Sequence, residues 1–374
     1  MTPRTYQQCT KTVMDNIADP FITFDENGVS NYWYDYQKLA KELVFQGAIG
    51  QKKLEEKIAE IKANGKGKKY DCLIGLSGGV DSTYIAYLVK KYQLRALAIH
   101  FDNGWNSEIA VQNINNIISS VGCDLFTLVV DWEEFKDLQL SYLKAGVIDI
   151  EALTDHAIFA TLNKLAKKNN IKYVLSGNNV ETEAVLPRAW VFNKLDAVNI
   201  AAIHQKFGKL PLKTFPLLSD FKKRYYRKFH HLEFVYPINY QRYIKNDVKI
   251  LISKELNWKD YGGKHYESVF TKFYQAYILP TKFKVDKRKA HLSNLICSEQ
   301  LTKEEALEEF NKPNYSSNDL ATDMEYVLKK FGLSQQEFDS IMEAEPVPHI
   351  AYKFDKGFFE NNLILRKVKR LIKG

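Results

Sequence analysis

From residue 70 onward the apolar positions fall into short unbroken runs separated by amphipathic stretches. The runs Tyr70–Leu76, Leu94–Phe101, Leu125–Val130 and Ile171–Ser176 predict strands. Ser82–Gln93, Ser107–Val121, Trp132–Ala145 and Thr154–Asn169 predict helices. Strands alternating with helices imply a parallel sheet with right-handed crossovers. The strands do not alternate polar and apolar positions, so the sheet is expected to be buried on both faces. Before this segment, Tyr36–Ala63 has helical periodicity and many charges, which predicts a surface helix or a pair of them. Asn64–Lys69 reads as a flexible linker by composition. Residues 1–35 are turn-rich, with Asp25-Glu26-Asn27-Gly28 expected to form a tight turn between short strands. After residue 185 aromatic and basic residues dominate, most densely over Tyr225–Tyr243, and the remainder reads as helical, most clearly at Thr302–Phe310 and Thr322–Phe331. The expected fold class is therefore α/β. A small N-terminal module covers 1–65, a parallel-sheet domain covers 66–260, and a helical elaboration that contributes to the substrate site covers 261–374.

The 374 residues suffice for one large core or two ordinary domains. With 45% hydrophobic and 26% charged residues the composition is that of a soluble globular protein. No apolar run has the length of a membrane span, and Met1–Asp19 is polar with no signal-peptide core. A cytoplasmic location is expected. Four widely spaced cysteines, Cys9, Cys72, Cys123 and Cys297, form no C-x-x-C pair, which fits a reducing compartment. The net charge of +8 is compatible with RNA, a membrane surface or an anionic small substrate. Much of the excess lies in runs such as Lys282–Lys289 and Arg366–Lys373, which a solvated basic face explains equally well.

The stretch richest in chemistry is Leu76-Ser77-Gly78-Gly79-Val80-Asp81-Ser82, between the first expected strand and the first expected helix. Such a position favours anions, because first-turn N–H groups are unpaired and the helix dipole is positive there. Gly78 and Gly79 permit close backbone approach. Ser77 and Ser82 add hydroxyl donors. Asp81 makes sense in a phosphate cradle if it holds a bridging Mg²⁺. The loop is neither G-x-x-x-x-G-K-[ST] nor G-x-G-x-x-G. It resembles the S-G-G-x-D-S loop of the PP-loop ATP pyrophosphatases, which grips the β,γ-pyrophosphate of ATP. Two further strand ends are expected in the site, because ligands sit at the carboxyl ends of open parallel sheets. His100, Asp102 and Asn103 occupy the place of adenosine contacts in that superfamily. Ser176, Gly177 and Asn178, followed by Glu181 and Glu183, resemble its second signature near the α-phosphate. The two glutamates are candidates for a further Mg²⁺ contact or a general base.

Over nearly its whole length the chain resembles the N-acetyl sugar amidotransferases of surface-polysaccharide and nonulosonic-acid pathways. The resemblance rests on Tyr6-x-x-Cys9, Thr12–Asp15 and Ile22–Val29 at the start, and on Thr154–Ile158 and Ser176–Glu183 in the middle. Toward the end it rests on Gly262–Thr271, Phe273–Gln275 and Asp286–Ser293. It implies adenylation of an acetamido oxygen by ATP with Mg²⁺, then displacement of AMP by ammonia to give an acetamidino sugar for lipopolysaccharide or flagellin glycans. The substrate it implies is a sugar nucleotide or a nonulosonic acid; the particular sugar and its carrier stay open. Lys264, Lys287 and Arg288 are implied to contact phosphates, and Glu267 or His265 to handle a proton from ammonia. The catalytic set is Asp81, Glu183, Lys264 and Glu267.

Members of that family commonly carry two Cys-x-x-Cys pairs near the N-terminus. Here the four positions are Cys9, Thr12, Ser30 and Trp33, and three of these side chains cannot replace thiolates. No structural zinc is expected, and Tyr6, Trp33 and neighbouring aromatics are expected to fill the space. The chain shows no glutaminase-like nucleophile of its own. Ammonia is therefore expected from separate glutaminase and channelling subunits, similar to those of imidazole glycerol phosphate synthase. The rival reading is a PP-loop tRNA-modifying ligase, with the Tyr/Arg/Lys-rich stretch 223–243 as an RNA surface. Neither nucleic acid nor a membrane is expected as a partner on the favoured reading.

Overall fold

The computed structural model describes residues 4–263 and 266–356. Two helices, α1 (Asn31–Leu43) and α2 (Gly47–Gly65), precede the sheet, so the periodic stretch 36–63 resolves into a pair. The sheet segment runs β1 (Cys72–Gly75), α3 (Val80–Lys91), β2 (Ala96–Asp102), α4 (Glu108–Val121), β3 (Asp124–Val129), α5 (Trp132–Ala145), α6 (Ala152–Lys168) and β4 (Tyr173–Leu175). The starts of α4 and α5 are set by N-caps, Ser107 accepting from Ala110 N–H and Asp131 from Glu134 N–H. Next come α7 (Val180–Glu183), α8 (Ala197–Phe207), α9 (Asp220–Phe229), β5 (Glu233–Val235) and α10 (Lys245–Leu256).

All five strands are parallel, in the order β3-β2-β1-β4-β5. The chain builds outward from β1 to β3, then returns to add β4 and β5 on the other side. The reversal leaves a crevice above the carboxyl ends of β1 and β4, where open α/β sheets bind ligands. β5 is absent from the expected elements. It has only three residues, two of them half-exposed, inside the aromatic and basic stretch, so periodicity gave no signal. β3 departs from the expectation of double burial. It is an edge strand whose Phe126 and Val129 are 38% and 67% exposed, whereas β1, β2 and β4 are buried.

The expected linker at 64–69 is not free. Arg95 donates to the carbonyls of Gly65 and Lys68 at 2.7 and 2.6 Å and forks onto buried Asp71, at 2.5 Å from Nη2 to Oδ1. The segment is thereby fastened to the start of β1. At the N-terminus the turn at Asp25–Gly28 closes with a 3.0 Å bond from Gly28 N–H to Asp25 O. It joins single bridges, Gln8 with Asp15 and Phe24 with Ser30, rather than strands. Cys9, Thr12 and Ser30 come together in the interior, and Ser30 N–H donates to Cys9 Sγ at 3.2 Å. Trp33 packs at the edge of the main core. Tyr6 does not; it stands 59% exposed, correcting its expected place in that cluster.

The C-terminal region is helical. α11 (Val269–Phe273) continues through one π-helical turn, Tyr274–Ile278, into α12 (Leu279–Phe283). After it come α13 (Lys287–Cys297), α14 (Lys303–Asn311), α15 (Ser317–Phe331) and α16 (Gln335–Glu343). The largest core joins Met14 and Tyr32 from the start of the chain to Phe135 on α5 and to Phe270, Phe273 and Phe338 near its end. Residues from all three expected segments therefore share one interior. Among the described residues no helix is long and apolar enough to cross a membrane.

Candidate active site at the switch point of the sheet

Leu76–Ser82 turns sharply from β1 into α3. Gly78 has φ +81°, and a Cβ there would meet the Ala110 carbonyl oxygen at 2.9 Å, so a side chain is excluded on both counts. The loop is braced internally. Ser77 Oγ accepts from Gly79 N–H at 3.2 Å, and Ser82 Oγ accepts from Ser77 N–H at 3.3 Å and donates to Gly79 O at 3.1 Å. Trp258 Nε1 holds the Gly78 carbonyl from behind at 2.8 Å. The amides of Asp81 and Ser82, in the first turn of α3, find no acceptor among the described residues. They face the crevice as unpaired donors at the positive end of the helix.

Asp81 lies at the mouth of the loop and is touched by the β4 end, since a Cβ on Gly177 would come within 3.2 Å of the Asp81 backbone and Cβ. Tyr243 donates its hydroxyl to Asp81 Oδ1; Oδ2 accepts nothing among the described residues. Unpaired amides beside a half-satisfied carboxylate fit a polyphosphate accompanied by a divalent cation. Asp81 and the first turn of α3 would hold that pair.

Glu181 does not face the cation position. It is 6% exposed and accepts from Gln46 Nε2 at 3.0 Å and from Tyr243 N–H at 3.1 Å. Burial drives its pKa up to about 7. Its role is to hold Tyr243, which in turn holds Asp81, correcting its expected place as a direct metal ligand. Glu183 lies close enough to Tyr243 to help raise the phenol's pKa, alongside burial and Asp81.

At the end of β2 the expected adenosine contacts are engaged locally. His100 is buried, with Nδ1 2.9 Å from Leu76 O and Nε2 3.1 Å from Asn106 Nδ2. It braces the loop from below instead of reaching a ligand. Asp102 Oδ1 accepts from Gly104 N–H and Asn106 Nδ2 at 2.9 and 3.1 Å. Asn103 links this turn to α6 through Thr154, at 3.4 Å. Ser176 Oγ accepts from Asn178 N–H at 3.3 Å, and exposed Asn178 rims the crevice.

The far wall comes from residues 258–269. Glu267 O accepts from Ser107 N–H at 2.9 Å, and Asn106 bridges Ser268, so this strip runs alongside the β2 turn. A Cβ on Gly79 would lie 3.3 Å from Tyr261 Oη and 3.5 Å from Glu267 Oε1, which places both side chains at the loop. Lys264, with His265, lies outside the described residues. Arg288 is corrected. Its guanidinium forks onto Asp286, 2.7 Å from Nη2 to Oδ2, donates to Lys312 O at 2.6 Å and stacks on Phe310. With three of its five N–H groups engaged in this way, it acts as a structural tie. Lys287, its neighbour, points instead into a charged cleft with Asp149, Glu151, Asp155 and Lys194.

Sequence reasoning missed Tyr243, Tyr261, Trp258 and this cleft. Tyr243 lies in the aromatic stretch noted above, but nothing in its spacing ties it to Asp81, 162 residues away. A cavity of about 340 Å³ beyond the β3 end, lined by Val129, Asp131 and Phe215, contains none of these residues. Its acidic wall, Glu134, is saturated by the amides of Lys213, Thr214 and Phe215.

Residues 70–179 match the asparagine synthase family, and residues 267–367 match the family described as LPS biosynthesis protein WbpG-like, C-terminal domain. Among solved structures, NMN synthetase from Francisella tularensis is 14% identical, with 81% of this chain and 97% of that chain covered and a TM-score of 0.37. The NH3-dependent NAD synthetase from Campylobacter jejuni subsp. jejuni NCTC 11168, in complex with the nitrate ion, is 16% identical, with 47% and 77% covered and a TM-score of 0.30. No curated protein matches the chain significantly.

Proposed function

We infer the function from one premise: the chain joins an asparagine synthase-type PP-loop ATP pyrophosphatase domain to a WbpG-like lipopolysaccharide-biosynthesis domain, a pairing consistent with the N-acetyl sugar amidotransferase family. We propose that it activates the acetamido group of an N-acetyl sugar with ATP and converts it to an acetamidino group with ammonia. The observation that carries this reading is the cradle at Gly78–Ser82, where unpaired amides and the half-satisfied Asp81 carboxylate face the crevice between β1 and β4.

An amide carbon is a weak electrophile with a poor leaving group. Attack of the amide oxygen on the α-phosphorus of ATP forms an O–P bond and breaks the bond to pyrophosphate. Ammonia then adds to the activated carbon, and AMP leaves with the former amide oxygen. The amides of Asp81 and Ser82 receive the charge of the departing pyrophosphate. Mg²⁺, when bound, neutralises phosphate charge during the transfer. Tyr243 fixes the Asp81 carboxylate, and Glu181 fixes Tyr243. Ser176, Gly177 and Asn178 border the α-phosphate position; Tyr261 and Glu267 close the side nearest the sugar. Ammonia is supplied by separate glutaminase and channelling subunits.

The test is pyrophosphate release with ATP, Mg²⁺, ammonium and a panel of UDP- and CMP-linked N-acetyl sugars. Release is expected to need one of these sugars, to give a product of amidine mass, and to vanish in Asp81→Ala. A second reading, RNA modification, rests on α9, where Phe221 and Phe229 are 79% and 66% exposed among lysines and arginines. Release with tRNA and with none of the sugars would replace the first reading by the second.

A further inference from the structure

Five charged side chains from separate parts of the chain meet beside the site. Asp149 and Glu151 come from the turn before α6, Asp155 from α6, Lys194 from the segment before α8, and Lys287 from the first residue of α13. Lys194 pairs with Asp155, and buried His156 fixes this lysine's backbone, its Nδ1 lying 2.9 Å from Lys194 O. Asp149 accepts from Phe192 N–H at 2.8 Å. Lys287 makes no hydrogen bond or ion pair among the described residues; its ammonium lies 5.8 Å from the centre of the Tyr274 ring. Tyr274 opens the π-helical turn, a distortion that recurs at functional sites, and gives its hydroxyl to Ile148 O.

Glu151 keeps most of its acceptor capacity open. A carboxylate offers about four acceptor positions. Among the described residues Glu151 has one side-chain donor, Thr271 Oγ1, shared between its oxygens at 3.2 and 3.3 Å. Thr271 Oγ1 also lies 3.0 Å from Ser268 Oγ. Ser268 bridges Asn106 and follows Glu267, which reaches the phosphate loop. The cleft and the ATP cradle therefore share one wall. Glu151 retains some solvent contact although protein surrounds it.

Three acids and two lysines leave one negative charge over when all are ionised. The cleft as a whole is short of one cation, and its Glu151 carboxylate is short of hydrogen-bond donors. A tetrahedral ion carrying four N–H groups supplies both. We propose that this cleft captures ammonium and that Glu151 is the base which converts it to the attacking ammonia. The inference deepens the proposed function and rests on it for the identity of the reaction. One N–H bond of ammonium breaks, its electron pair stays on nitrogen, and the proton forms an O–H bond on Glu151. The neutral ammonia then adds to the activated carbon.

The surrounding charges suit this task. Burial, Asp155 and Asp149 push the Glu151 carboxyl up, and Lys287 and Lys194 hold it back, to about 7. Lys287 is therefore a positioning residue for the Glu151 proton.

Two measurements test the proposal. The first needs no sugar. Thermal unfolding of the full chain is followed in ammonium chloride and in tetramethylammonium chloride at equal ionic strength. Ammonium is expected to raise Tm over the bulkier cation in the wild type and in Lys287→Met, but not in Glu151→Gln. Equal responses in wild type and Glu151→Gln overturn the site. The second follows turnover. Glu151→Gln is expected to keep sugar-dependent pyrophosphate release, which also shows that it is folded. It is expected to lose ammonium-dependent product below pH 8, with recovery of about tenfold per pH unit as free ammonia increases. Hydroxylamine, uncharged at neutral pH, is expected to rescue it. Lys287→Met is expected to move the acid limb of the ammonia-dependent rate to higher pH. Wild-type rates with ammonium in Glu151→Gln sink the base role. Ammonium binding without sugar-dependent release would keep the site and remove the proposed reaction.

Discussion

The phosphate loop and the Glu151 cleft lie against the same wall and are incomplete in opposite senses. At Asp81 and Ser82 the backbone offers donors that have no acceptors. At Glu151 a carboxylate offers acceptor positions with one donor between them. A buried or half-buried polar group without a partner costs free energy, and a ligand that completes it recovers that cost. On the proposed reading the sign of the deficit gives the sign of the ligand: a polyanion for the loop, a small cation for the cleft. Arg288 is the contrast that makes the rule useful. It carries the charge expected of a phosphate contact, but Asp286, Lys312 and Phe310 already engage it.

The comparison breaks most decisively at Asp81. Asp81→Ala is expected to reduce sugar-dependent pyrophosphate release on the order of 10³-fold, measured at saturating ATP and Mg²⁺. Retention of release would mean that the loop does not carry the chemistry. Glu151→Gln sharpens the other side through stability. In the folded chain the Glu151 pKa is about 7 against an ordinary 4.5. A raised carboxyl opposes ionisation, so its cost to folding is absent at low pH, grows between those two values and is constant above them. The variant is therefore expected to gain stability over wild type between pH 5 and pH 8, by at most about 3 kcal/mol. Melting curves at both pH values, without ammonium, read this directly; no difference between them would contradict the strained carboxylate.

Tyr243→Phe removes the hydroxyl that holds Asp81. A hydrogen bond to a charged group is worth roughly 1.5–3 kcal/mol, so about a tenfold or greater loss in pyrophosphate release is expected, with the fold intact by circular dichroism. The smallest effect is assigned to Arg288→Ala. It should cost about 1–2 kcal/mol of stability and leave the KM for ATP within about twofold of wild type. A large rise in that KM would return Arg288 to the ATP site.

The two regions also differ in how far the sequence disclosed them. The loop is contiguous: Ser77, Gly78, Gly79, Asp81 and Ser82 lie within six residues, between a strand and a helix whose periodicities are plain. The proposed anion site follows from local backbone geometry alone, and its place in a parallel α/β sheet from the strand–helix alternation. The resemblance brought Thr154–Ile158 and Asp286–Ser293 to notice, but it assigned Lys287 and Arg288 to phosphate together.

Neighbouring residues on a helix start in different directions, and only packing decides that Lys287 enters the cleft while Arg288 folds back on Asp286. Glu151 gave no motif of its own. Its altered acidity comes from Asp149, Asp155, Lys194 and Lys287, which the turn before α6 and the π-distorted helix 269–283 bring together. His100, Asp102 and Glu181 lie at the carboxyl end of the sheet, and Leu76, Asn106, Gln46 and Tyr243, which no spacing along the chain reveals, are their partners there. What the sequence determined by itself is whatever depends on residues close along the chain: the strand–helix alternation of the sheet, the loop and its unpaired first-turn amides. What only the tertiary structure decided is which charges face each other across distant segments, because electrostatic energy depends on separation in space and on burial, and neither is written in the order of residues.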